Sequence, residues 1–65
     1  MQIILNGNST DIIDVITVDD LIRELKLQGR LAVESNRQIV PHSLFHLQKI
    51  NHGDKIEIVH AIGGG

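Results

Sequence analysis

Sixty-five residues, 42% of them hydrophobic and 22% charged, make one ordinary globular domain and exclude a disordered or multidomain chain. The formal net charge is −2, with Arg23, Lys26, Arg30, Arg37, Lys49 and Lys55 scattered among acids and Phe45 the sole Phe, Tyr or Trp, so the clustered cations and stacking rings of a nucleic-acid binder are missing. The absence of cysteine removes disulfides, thiolate nucleophiles and thiolate-bound metals.

Met1 to Leu5 is apolar and β-branched and reads as a first strand. Asn6-Gly7 follows; both residues tolerate positive φ and mark a hairpin turn, which Asn8, Ser9 and Thr10 extend into a loop. Asp11-Ile12-Ile13-Asp14-Val15-Ile16 reads as the returning strand. Thr17 is placed to cap a helix, with Asp20 at the third helical position closing an acidic capping box, and Ile16 and Leu21 forming a hydrophobic staple. Val18, Leu21, Ile22 and Leu25 fall at i, i+3, i+4 and i+7, one apolar stripe. Asp19 and Arg23 are four apart on the wet side. Lys26 lies in the last turn, and Gly29 is expected to end the helix in the left-handed conformation.

Leu31-Ala32-Val33-Glu34-Ser35 reads as a third strand and Asn36-Arg37 as a turn. Gln38-Ile39-Val40 is a short extended run that Pro41 ends. Ser43 is placed to cap a brief helical turn that holds Leu44, Leu47 and Ile50 against the core. Asn51-His52-Gly53-Asp54 is a turn cluster, and the last strand runs from Lys55 to Ile62, before Gly63-Gly64-Gly65. A hairpin, a helix and then further strands predict an α+β sheet with the helix on one face and the first and last strands parallel at its centre.

A domain this small buries only about 60% of the surface of its unfolded chain, which leaves little volume for an enclosed active site. No apolar run approaches the ~20 residues that cross a bilayer, and the N-terminus lacks the basic flank and long apolar stretch of a secretory signal. The expectation is a soluble, cytoplasmic protein. His42 and His46 have a spacing that can bind a metal on a helix, but no Glu follows His42 and no third ligand is evident, so they read as exposed polar side chains. Capping accounts for Asp19 and Asp20, Glu34 alternates outward from Val33, and His60 reads as an alternating strand residue. No nucleophile elbow or phosphate loop occurs, so no catalytic residue and no metal ligand is assigned.

The tail has two readings, a frayed end or a reactive terminus. Glycine has no Cβ, so it enters a narrow channel and takes any backbone conformation. Three extended residues reach about 10 Å, at ~3.3–3.6 Å each, enough to carry the Gly65 carboxylate into a partner's active site.

Ala32-Val33 with Asn36-Arg37-Gln38-Ile39-Val40-Pro41, then Gly53-Asp54-Lys55-Ile56-Glu57-Ile58-Val59, then Ala61-Ile62-Gly63-Gly64-Gly65 resemble the ThiS family, the sulfur carrier proteins of thiamin biosynthesis. The resemblance covers essentially the whole chain. It implies a ubiquitin-like β-grasp domain over residues 1–62, a mixed sheet of four to five strands with one main helix on one face, and a flexible tail over 63–65. It also implies a carrier acted on by partner enzymes, not an enzyme. A carboxylate is anionic and a poor acyl donor. In the family a ThiF-type adenylating enzyme uses ATP to activate the terminal glycine, here Gly65. Sulfur from a persulfide donor such as a cysteine desulfurase then displaces AMP, leaving a thiocarboxylate, which delivers sulfur to a ThiG-type thiazole synthase. Gly63 and Gly64 thread the tail into the partner's active site. Ile56 and Ile58 are expected to face the helix, which puts Glu57, Val59 and Ala61 on the open face through which the family docks. No bound cofactor is implied, ATP belonging to the activating partner, and the free protein is expected to be a monomer without nucleic-acid or membrane partners.

Gly63 departs from the family pattern, in which the residue before the final pair is often not glycine. Carriers of molybdopterin or cysteine synthesis share the fold and the Gly-Gly end, but tend to be longer, with a Pro-rich run where this chain has Ala61-Ile62. A ubiquitin-like modifier joined to lysines and a non-covalent β-grasp interaction module are the other readings.

Overall fold

The computed structural model describes residues 1–61. Asn6 (φ +49) and Gly7 (φ +83) both adopt the left-handed region. That turn matches the twist of its flanking strands and folds β1 (Gln2–Leu5) directly back as β2 (Asn8–Asp11), with Leu5 opposite Asn8. The returning strand is therefore built mostly from Asn8, Ser9 and Thr10, expected as a loop, and keeps only Asp11 of the run expected as a strand. Ile12 to Ile16 is irregular instead, with Asp14 at φ +60, although Ile12 and Val15 are buried.

Helix α1 spans Val18–Glu24 and begins with the expected capping box. Thr17 Oγ1 accepts the Asp20 N–H at 3.2 Å, and Asp20 Oδ2 accepts the N–H groups of Ile16 at 3.0 Å and Thr17 at 3.1 Å. Arg23 Nη2 donates to Asp20 Oδ1 at 2.8 Å. The expected partner was Asp19, but the box already holds the Asp20 carboxylate one turn below Arg23. Ile16 forms no buried staple: it is 62% exposed, and its neighbour Val15 takes the inward position. The helix also ends earlier than Gly29. Lys26 (φ +55) occupies the left-handed stop, its N–H donating to Arg23 O at 3.0 Å while the Leu27 N–H donates to Ile22 O at 3.1 Å, the Schellman pairing.

β3 (Leu31–Ser35) and β4 (Gln38–Val40) form a second hairpin around Asn36 and Arg37, both left-handed at φ +52 and +71. A 3-10 turn, His42–Leu44, follows Pro41 without a side-chain cap from Ser43. Phe45 and Ile50 enter the core, whereas Leu44 and Leu47 are exposed. β5 (Lys55–His60) completes a five-stranded mixed sheet in the order β2-β1-β5-β3-β4, parallel to β1 and antiparallel to β3. Ala61 lies beyond the strand, and Ile62 falls outside the described residues. Val18 and Leu21 of α1 pack with Ile3, Val33 and Ile56 of the sheet, all at 1% exposure or less, and Ile22 and Leu25 lie against their rim. Burying each such side chain stabilises the fold by about 1.5–3 kcal/mol. Among the described residues no helix is long and apolar enough to cross a membrane.

The Ile16 N–H, the Arg23 guanidinium and the Thr17 N–H, in that order, hold the Asp20 carboxyl down to about 2. An unfolded Asp titrates near ~3.9. The folded value lies below the unfolded one, so this contribution is complete above about pH 4 and is lost as the pH falls toward 2. Asp20→Asn is expected to flatten the melting temperature against pH across that window, measured by thermal unfolding between pH 2 and 5. At the other end of the helix, Lys26→Gly removes a left-handed β-carbon and is expected to stabilise the domain by ~0.5–1 kcal/mol in urea titration.

Candidate functional site

β5 carries the chain towards its C-terminal glycines, so the site is built around that strand's exit. The β3 flank is paired to the end: Leu31 stands opposite His60 and Ala32 opposite Val59, and the Ala61 N–H donates to Arg30 O at 2.9 Å. The β1 flank is shorter. Only Ile4 and Leu5 stand opposite Lys55 and Ile56, because the chain turns away at Asn6. The Asn6 N–H donates to Ile56 O at 2.9 Å, and from there its side chain replaces the missing strand. Asn6 Nδ2 donates to Ile58 O at 3.1 Å, and Asn6 Oδ1 accepts the Ile58 N–H at 2.8 Å.

Asn36 grips the start of the same strand. Its N–H donates to Lys55 O at 2.7 Å, its Oδ1 accepts the Lys55 N–H at 2.9 Å, and its Nδ2 donates to Asp54 Oδ1 at 3.0 Å. Sequence reasoning takes both asparagines as turn residues only. The available signal is that each opens a two-residue turn and that an amide carries both a donor and an acceptor, the pair a strand backbone needs.

Ile56 and Ile58 are buried beneath the helix. Glu57 and Val59 are exposed on the opposite face, Val59 at 58%, and Ala61 is exposed at the exit. With Ala32, Glu34 and Ile39, the first two line a shallow hollow of about 170 Å³. Ile39 is 77% exposed there, and Glu34 faces Glu57 directly across the β3–β5 pair. Like charges directly opposite one another are destabilising in an antiparallel pair. The face thus combines exposed apolar area with an acidic pair that cross-strand electrostatics does not favour. Gly63, Gly64 and Gly65 lie outside the described residues.

The histidines are placed by packing and hydrogen bonding. His60 Nε2 lies 3.1 Å from Gln28 O, and since a carbonyl only accepts, that nitrogen carries the proton. His52 Nδ1 accepts the Gln2 N–H at 3.1 Å. The His42 ring lies 4.8 Å from that of Phe45, and His46 is exposed. Among the described residues no group of three or more His, Asp or Glu side chains is placed to hold a metal.

Three comparisons bear on this arrangement. The model of the ThiS family matches residues 3–65. A thiazole synthase of Paramagnetospirillum magneticum is 42% identical over 66 residues, covering 100% of this chain, which spans 20% of that protein's length. The sulfur carrier protein ThiS of Bacillus subtilis is 36% identical over 53 residues, covering 80% of each chain. The crystal structure of the thiamine biosynthesis protein ThiS from Geobacter metallireducens superposes with a TM-score of 0.88 at 25% identity, covering 100% of both chains.

Proposed function

The chain belongs to the ThiS family, with its ubiquitin-like β-grasp fold, and on that footing we propose that it is the sulfur carrier of thiamin biosynthesis, a protein co-substrate whose working group is the Gly65 carboxylate. The likeness to sulfur carrier ThiS proteins, over 80% of the chain in sequence and over all of it in fold, is the observation that carries this reading. It favours the thiamin pathway over the related carriers of molybdopterin or cysteine synthesis and over a non-covalent interaction module.

The chemistry follows from the poverty of a carboxylate as an acyl donor. One Gly65 oxygen attacks the α-phosphorus of ATP on a ThiF-type adenylating enzyme, pyrophosphate leaves, and the glycine becomes an acyl-adenylate. A persulfide sulfur, supplied through a donor such as a cysteine desulfurase, attacks the acyl carbon and displaces AMP. Reduction of the resulting sulfur–sulfur bond by a thiol leaves the thiocarboxylate. That group is the nucleophile delivered to thiazole synthase. The thiazole synthase of which one stretch is 42% identical to this whole chain supports that acceptor, since joining donor and acceptor in one chain raises their effective concentration.

Glu57, Val59 and Ala61, with Ile39 and Glu34 beside them, are the docking surface in this reading, and Gly63 and Gly64 let the tail thread into the partner. Exposed apolar area flanked by acids fits an enzyme surface that offers apolar contacts within a basic rim. No cofactor is held by the carrier; ATP is bound by the activating enzyme.

Intact-protein mass spectrometry with ATP, sulfide and a ThiF-type enzyme tests the reading. A mass gain of one oxygen replaced by sulfur is expected, and it is expected to vanish when Gly65 is deleted while the melting temperature stays unchanged. No gain, with an enzyme active on its own carrier, would remove the thiamin assignment. Val59→Asp is expected to cost about 1 kcal/mol of stability or less but to raise the KM for adenylation; an unaltered KM would take Val59 out of the docking surface.

A further inference from the structure

We infer that Asn6 is a positioning residue for the reactive tail, its side-chain amide standing in for the strand that β5 lacks at its exit. The inference rests on the carrier function proposed above and assigns that reaction a residue far from Gly65 in sequence. Ile58 is the point at which the β1 flank has run out: Leu5 pairs with Ile56, and the hairpin turn then removes the backbone from the neighbourhood of β5. Both polar groups of Ile58 on that flank are nevertheless bonded, at 2.8 and 3.1 Å, and both bonds go to one amide. Without it, β5 from Ile58 to the tail is held on its β3 flank alone.

The turn makes this grip inexpensive. Asn adopts the left-handed region with little penalty, and at φ +49 its short side chain lies alongside β5. Asn36, at φ +52, holds the far end of the strand, its Oδ1 accepting the Lys55 N–H and its Nδ2 donating to Asp54 Oδ1, and so supplies a control for any loss of stability. An ordered exit matters because an enzyme that engages an extended tail sees an affinity reduced by the fraction of carriers lacking that conformation. Once the tail is bound, the partner holds it, and the chemical step no longer depends on Asn6.

Glycine at either position keeps the left-handed turn and removes only the amide. Asn6→Gly and Asn36→Gly are therefore compared with the wild-type chain in adenylation kinetics with a ThiF-type enzyme and in amide hydrogen exchange. For Asn6→Gly we expect faster exchange from Ile58 to Ala61 and a KM raised roughly three- to tenfold, the factor of a typical net hydrogen bond, with kcat within about twofold of wild type. Asn36→Gly is expected to lower the melting temperature similarly while leaving that KM and those amides as they are. An unaltered KM for Asn6→Gly, an equal rise for Asn36→Gly, or unchanged exchange from Ile58 to Ala61 would each overturn the positioning role. A wild-type chain that is not adenylated at all would instead overturn the proposed function, and the exchange comparison would still decide whether Asn6 orders the exit.

Discussion

The last of the described strands is also the middle strand of the sheet. Lys55–His60 lies between β1 and β3, so the two hairpins on either side meet only through it. Buried backbone donors and acceptors must all be paired, and β5 presents two full rows of them. The neighbours meet this demand unequally. β3 runs the length of β5, while β1 falls short and the Asn6 amide completes its flank across 52 residues of sequence. The central pairings are long-range, so the sheet cannot close before β5 arrives, a topology that slows folding.

Alternation along β5 then divides its side chains between the core and the open face. Ile56 and Ile58 go inward beneath α1, and Glu57 and Val59 go outward. The helix packs on one face of the sheet, where Val18 and Leu21 are at 0% exposure, and among the described residues no element covers the other. On that uncovered face, Glu34 opposite Glu57 and the bare Ile39 are choices that folding alone does not favour.

Much of this is legible in the sequence, where a local rule and the tertiary context agree. Thr17-x-x-Asp20 announces the helix start because the capping box is a purely local arrangement of four residues. The parity of Ile56 and Ile58 follows from strand geometry, and the parallel centre of the sheet from the order of the elements. What is hidden depends on neighbours. The polar segment Asn8–Asp11 is a strand only because β1 lies beside it, so hydrophobic content misplaces it. Lys26 stops the helix despite Gly29 nearby, because the packing of Leu25 and Leu27 against the core decides where the chain must turn. Phe45 is buried in place of Leu44 because the turn after Pro41 is too short for a helical periodicity to apply. The Asn6 and Asn36 grips are invisible for the same reason: a turn residue shows its conformation in sequence, not the strand its side chain will meet.

A strand flanked on both sides is also an anchor against force. A force applied to the chain beyond His60 pulls along the axis of β5. The hydrogen bonds to β1, to β3 and to the two asparagines run across that axis, so they are loaded together in shear rather than opened one at a time as in a peeled edge strand. The load then spreads into the parallel β1–β5 pair and from there into the first hairpin. A pull applied beyond His60 is thus met by both flanks of the strand at once, and the domain behind it resists unfolding.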